Sequence, residues 1–144
     1  MVKAGVRISV IYTDEHLIEL RVKASNGVFA GQADVYADSD VLVELAEALR
    51  GFPDGRSDSR EFEIGSFDAA HAGGGAGFRF YCLDSVGHAA AEVRLRSDRE
   101  VGGGVSDTVV LHMPVEAASV DSFVVQLAGA AAEVGQSALL EGAA

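Results

Sequence analysis

The chain of 144 residues has the length of one ordinary domain, and its 49% hydrophobic and 23% charged residues exclude wholesale disorder, collagen and a mucin-like stalk. Its 22 acidic residues against 11 Lys and Arg leave a formal net charge of -11. A field of that sign repels a phosphate backbone or an anionic membrane surface and attracts a cation or a basic protein. With one cysteine, Cys82, no intramolecular disulfide and no zinc site built on paired cysteines is expected.

No apolar signal core follows Lys3, and no run approaches the roughly 20 apolar residues of a membrane span. These features predict a single cytoplasmic domain over 1–144, without a nucleic-acid or membrane partner.

The chain opens on an alternation, with Val6, Ile8, Val10 and Tyr12 on one face, and a second follows with Ile18, Leu20, Val22 and Ala24. Both read as strands with one wet face. Asn26-Gly27 suits a tight hairpin, because both residue types tolerate positive φ. A third strand is expected from about Val28 to Ala37, with Gly31 marking a bulge or a close backbone approach. Asp38-Ser39-Asp40 supplies capping chemistry for a helix carrying Val41, Leu42, Leu45, Ala48 and Leu49 on one side. Gly51 and Pro53 end it.

After a polar turn from Asp54, residues 60–67 alternate, with Phe62 and Ile64 inward. Asp68 to Gly77 reads as a flexible glycine-rich loop. Phe78, Phe80 and Cys82 mark the next strand, and Ala89, Ala91, Val93 and Leu95 the one after. A charged, glycine-rich loop is expected over 97–107, then a last strand with Val109, Leu111, Met113 and Val115. A second helix should begin near Ser119 and carry Val120, Phe123, Val124, Leu127, Ala128, Ala131 and Val134. Residues 137–144 are expected to fray, with Leu139 and Leu140 placed to cap a core edge.

The order βββ-α-ββββ-α with short connections predicts an α+β fold: a mainly antiparallel, curled sheet of about seven strands with both helices on its apolar face.

The chemistry-bearing residues do not cluster in sequence. His16, His71, His88 and His112 are far apart, so a metal site would need His71, His88 and a carboxylate to meet through space. Gly73-Gly74-Gly75-Ala76-Gly77 leads into a strand rather than a helix N-terminus, which argues against a phosphate loop. Cys82 shares a face with Phe78 and Phe80 and is expected to be buried and inert. Ser85 and His88 flank a turn without a nucleophile elbow. Glu61 and Glu63 oppose Phe62 and Ile64 and should face water. No catalytic residue, metal or cofactor follows from this pattern.

Asp40, Glu44 and Glu47 form an acidic stripe on the first helix, a candidate contact for a basic protein. Phe78, Phe80, Tyr81 and Met113 are the candidate lining of a pocket between the sheet and a helix.

The Asn26-Gly27 hairpin, the strand Val28-Phe29-Ala30-Gly31, the helix Val41 to Leu49 and the Gly87-His88 hairpin together resemble, in layout, small bacterial proteins similar to the WapI-type immunity proteins. The resemblance spans about Val6 to Val134. It implies an antiparallel α+β fold and neutralisation of a toxin by direct binding, and it transfers no catalytic residue. The glycine-rich loops and the alanine-rich second helix lie outside it. The leading expectation is therefore a non-enzymatic protein-binding module of the immunity type. A small-ligand or enzymatic domain is the second, and a structural homo-oligomer pairing through a sheet edge the third.

Overall fold

The alternations of the first three segments fold as expected into strands β1(Gly5–Thr13), β2(Ile18–Ser25) and β3(Ala30–Ala37), followed by helix α1(Val41–Leu49). Then come β4(Ser59–Gly65), β5(Gly75–Cys82), β6(His88–Gly102), β7(Val105–Glu116), α2(Ala117–Ala130) and β8(Ser137–Glu141). These come from a computed structural model that describes residues 3–68, 70–130 and 132–143 and, at Glu100 and Val101, the backbone alone. Ala131, assigned above to the second helix, lies outside the described residues.

The fold is α+β and antiparallel, but its strands form two four-stranded sheets, ordered β3-β2-β1-β8 and β4-β5-β6-β7. A single sheet of seven strands is thus corrected to two sheets of four. The division falls between β3 and β4, which α1 separates and which do not pair, and the eighth strand comes from the C-terminal segment. Residues 137–141 do not fray: Ala138 and Leu140 alternate inward with exposures of 1% and 0%, and β8 pairs with β1 through Ile8↔Ala138 and Val6↔Leu140. The first sheet is therefore completed by the end of the chain, while β4 starts the second.

The sheets meet along β3, which lies against β4, β5, β6 and β7. Gly31 is a point of close approach. A Cβ there would stand 2.6 Å from Val109 Cγ1 and 3.4 Å from Leu95 Cδ1. The helices are not confined to one sheet. They pack on each other, with α1 also against β4, and α2 against β8 and β7. One contiguous core joins the inner faces of both sheets to Leu42, Leu45 and Leu49 of α1 and Phe123 and Leu127 of α2.

Several local expectations change for physical reasons. A bulge between Val10 and Tyr12 turns Tyr12 outward to 49% exposure, opposite Glu19. The Asn26-Gly27 turn is wider than a two-residue hairpin, because Asn26 Oδ1 accepts the N–H groups of Val28 and Phe29 and delays β3 to Ala30. Asp40 makes no side-chain cap; the Val41 N–H donates to the Asp38 carbonyl at 3.1 Å instead. Helix α2 starts two residues before Ser119 and ends at Ala130, leaving Val134 exposed in the turn that leads to β8.

The expected loop over 97–107 is largely strand, since Gly103 and Gly104, with φ of 62° and 78°, close a two-residue turn between β6 and β7. Gly73 to Gly77 is not a flexible connection either. Added Cβ atoms would meet Tyr36 Cδ2 at 2.7 Å from Gly73, the Arg96 carbonyl at 2.4 Å from Gly74 and the Ser66 carbonyl at 2.5 Å from Gly75.

Arg60 ties α1 to β4. Its guanidinium donates to the carbonyls of Ala48 (3.1 Å) and Arg50 (2.7 Å) at the helix C-terminus, pairs with Asp58 at 2.8 Å and stands over the Phe52 ring. A cation there meets the negative end of the helix dipole. The hydrogen bonds from Arg60 hold the Asp58 carboxyl below its ordinary range, with the Asp54 N–H as a further donor. A carboxylate with a depressed folded pKa stabilises the fold above its unfolded pKa, and that contribution is lost as pH falls through the folded value.

Two outcomes follow. Asp58→Asn should lower stability at neutral pH and flatten its decline between about pH 5 and pH 2, measured by urea denaturation across pH. Gly31→Val should cost about 1–3 kcal/mol by overpacking Val109 and Leu95, a loss that Val109→Ala should partly restore in the double variant.

Candidate functional site

The strand register of the first sheet places its outward side chains in two adjacent rows. One row runs Leu139, Arg7, Lys23, Gln32 and the next Glu141, Gly5, Ser25, Ala30. Apart from Glu141 the second row is short, the first is long, and Lys3 stands just ahead of β1. Short residues between long ones leave a groove of about 730 Å³, lined by Lys3, Arg7, Lys23, Gln32, Leu139 and Glu141 around a floor that includes Gly5, Ser25 and Ala30. That volume falls within the range of about 300–1,000 Å³ typical of small-ligand sites.

The electrostatics of the groove oppose those of the chain. Both of the protein's lysines line it, beside Arg7. Arg7 and Lys23 are direct cross-strand partners. Side chains so placed have Cβ atoms about 4.5–5.5 Å apart, and like charges there destabilise the sheet. Arg7 donates to Ser137 Oγ at 3.1 Å. Among the described residues, Lys3, Arg7 and Lys23 make no salt bridge, whereas Arg21, Arg50, Arg60, Arg79 and Arg94 each have a carboxylate partner. The far end of the same sheet face has the opposite sign. There burial, reinforced by the charges of Asp34 and Asp98, raises the Glu19 carboxyl above its ordinary value, and Arg21 pairs with Asp34 at 2.9 Å.

The residues singled out from the sequence are placed elsewhere. Phe78, Phe80 and Met113 are 1%, 0% and 1% exposed and fill the core, so they line no pocket between sheet and helix. Phe52 and Phe62 pack against Phe80, occupying the space where such a pocket would lie. Tyr81 is on the opposite face of β5, its ring 4.4 Å from the Arg79 guanidinium carbon. Asp40, Glu44 and Glu47 are exposed on and beside α1, but Glu47 is taken by Arg50 at 2.8 Å. Cys82 is half-buried rather than fully buried, because the chain leaves the sheet just after it; its thiol contacts the Gly55 carbonyl at 3.5 Å. Glu61 and Glu63 face water and flank Arg94.

Each histidine stands beside its own carboxylate: His16 by Glu15, His71 by Asp68, His88 by Asp84 and His112 by Glu92. The Asp84–His88 contact is 2.5 Å, and that hydrogen bond holds the Asp84 carboxyl below its ordinary range. His71 and His88 thus go to separate partners, and no group of three His, Cys, Asp or Glu residues with metal-binding geometry occurs among the described residues. Among the same residues, no helix is long and apolar enough to cross a membrane.

Comparison with protein-family models, with curated proteins and with solved structures finds no match. The groove residues escape sequence reasoning because Arg7 and Lys23 look like ordinary wet-face residues of two strands. Their signal is the lysine count: two in the chain, one before the first strand and one in the second. Since neither cation has a salt-bridge partner among the described residues and the Arg7–Ser137 bond is exposed, Arg7→Gln and Lys23→Gln should each change stability by less than about 0.5 kcal/mol in denaturant titrations, and relief of their mutual repulsion should make the double change neutral or slightly stabilising.

Proposed function

We propose that the protein is a non-catalytic binding module that holds an anionic ligand in the groove on the outer face of its first sheet. The observation that carries this reading is the gathering of Lys3, Arg7 and Lys23, without carboxylate partners among the described residues, over a recess of about 730 Å³ in a chain of net charge -11. Solubility does not require such a gathering, and sheet stability opposes it. A recess that keeps cations unpaired is suited to an incoming anion, because the ligand then supplies the missing partner.

A second reading retains the protein-binding expectation. Asp40 and Glu44 are exposed carboxylates without a salt-bridge partner among the described residues, and the exposed Val43 lies between them. This face suits a basic protein partner, as the immunity-type resemblance implies, with Glu47 already engaged by Arg50. The Asp40→Asn/Glu44→Gln variant separates the two readings, because it leaves the groove untouched.

The test is titration with inorganic phosphate and with citrate, followed by backbone amide shifts. Perturbations should centre on residues 5–7, 23–25, 30–32 and 139–141, weaken with salt, and fall at least tenfold in affinity in the Arg7→Gln/Lys23→Gln variant. Saturable shifts centred elsewhere, or no binding of either anion at millimolar concentration, would refute the groove as the site.

A further inference from the structure

The groove is not lined by charge alone. Its floor and one wall are aliphatic or small: Ala4, Ala30 and Leu139. The polar groups that reach it, Ser25, Gln32 and Glu141, are few for its volume. One end of the groove continues into the β2–β3 loop, since Ser25 and Ala30, which line it, directly precede and follow residues 26–29.

That loop is rigidly built. Asn26 Oδ1 accepts two backbone N–H groups at 3.0 and 2.8 Å, and Asn26 Nδ2 donates to the His112 carbonyl at 3.3 Å. Even so, it presents Val28 at 80% and Phe29 at 64% exposure. Two adjacent apolar side chains held in water by a well-bonded turn are a cost that the turn itself does not require. They stand outside the groove's lining, on the loop between its residues Ser25 and Ala30.

Resting on the anion-binding reading, we infer that the ligand is an amphiphilic organic anion: a carboxylate or phosphate monoester head held by Arg7, Lys23 and Lys3, with an apolar body that lies along the floor towards Val28 and Phe29. A fully polar anion would leave the aliphatic lining wet, and a neutral apolar ligand would leave three cations unpaired. The geometry therefore asks for both parts in one molecule. The ligand is taken as a free monomer rather than as part of a bilayer, because the net charge of -11 opposes approach to an anionic lipid surface. No covalent step is involved.

The experiment compares ligands with one head and a growing body. Binding of acetate, butanoate, hexanoate, octanoate and decanoate, each below its aggregation concentration, is measured by calorimetry or amide shifts, with hexyl phosphate as the second head type. Affinity should rise about two- to fourfold per added methylene, the upper figure being full burial of each CH₂. Arg7→Gln/Lys23→Gln should weaken every member of the series by a similar factor. Phe29→Ser, an exposed change with folding checked by circular dichroism, should leave acetate binding unchanged and reduce the gain per methylene.

An affinity independent of chain length overturns the amphiphile assignment; binding of phosphate and citrate at the groove would then leave the broader anion-binding reading in place. Failure of every anion overturns both. Association with phosphatidylglycerol vesicles without binding of the monomeric series would replace the free ligand by a membrane surface and equally overturn the inference.

Discussion

The position of the two sheets depends on one buried cation. Arg96 is 6% exposed, and its guanidinium donates to the Ser66 carbonyl at 2.9 Å, the Gly73 carbonyl at 2.6 Å and the Ser97 carbonyl at 3.5 Å. A charge taken out of water costs several kcal/mol unless its donors are satisfied. Here backbone oxygens satisfy it, so the chain before β5 must lie directly on β6. Only glycine permits that approach: a Cβ at Gly65 would be 2.3 Å from the Gly74 carbonyl, and one at Gly74 would be 2.4 Å from that of Arg96. Once seated, Gly74 donates its N–H to the Asp34 carbonyl of β3 at 2.8 Å, and Gly73 lies against the Tyr36 ring. The junction thus attaches the edge of the first sheet to the second.

With β3 fixed by that junction and by the contact of Gly31 with Val109, the inner face of the first sheet is committed to the core and its outer face to water. The opposite edge is closed by a side chain. Gln126 of α2 accepts from the Leu139 N–H at 3.0 Å and donates to the Leu139 carbonyl at 3.4 Å, occupying the groups through which another strand would pair. At the edge of the second sheet, Pro114 lacks an N–H to offer, and its carbonyl already accepts from Ala143 at 2.8 Å. These contacts oppose strand addition at both places and leave the open face of the first sheet as the surface where recognition is structurally cheapest.

What was legible in the sequence follows from period and turn chemistry. Val6, Ile8 and Val10, then Ile18 to Ala24, were readable as strands because one face alternates, and α1 because Leu42, Leu45 and Leu49 recur at helical spacing before Gly51 with φ of 78°. The division into two sheets was not legible, because the sequence shows alternation but not that β3 and β4, on either side of α1, fail to pair. The eighth strand was hidden as well, since the alternation of its five residues is too short to distinguish from a frayed tail. Arg96 was also hidden, since it continues the outward alternation of Arg94, and only the glycines packed around it remove it from water. Glycine runs suggest flexibility locally, whereas close packing is decided by what stands opposite. The groove escaped for the same reason: its residues lie on four strands, and only the register places them side by side.

The groove's cations also bear on why this face was not neutralised. The chain has twice as many acids as bases, and a carboxylate opposite Arg7 or Lys23 would have relieved their repulsion at little structural cost. The same sheet does this one row away, where Arg21 faces Asp34 with both side-chain oxygens engaged at 2.9 and 3.0 Å. At the next row Lys23 faces Gln32, a neutral residue, and Arg7 faces Leu139. Replacing Gln32 by Glu would complete the Arg21–Asp34 pattern and add, beside Glu141, a carboxylate directly opposite Lys23. The sheet would gain a cross-strand pair worth a few tenths of a kcal/mol, and the recess would lose the unpaired charge that makes it a site for an external anion. The arrangement is thus less favourable for stability than one substitution could make it, and the difference falls at a recess large enough to hold a ligand of ordinary size.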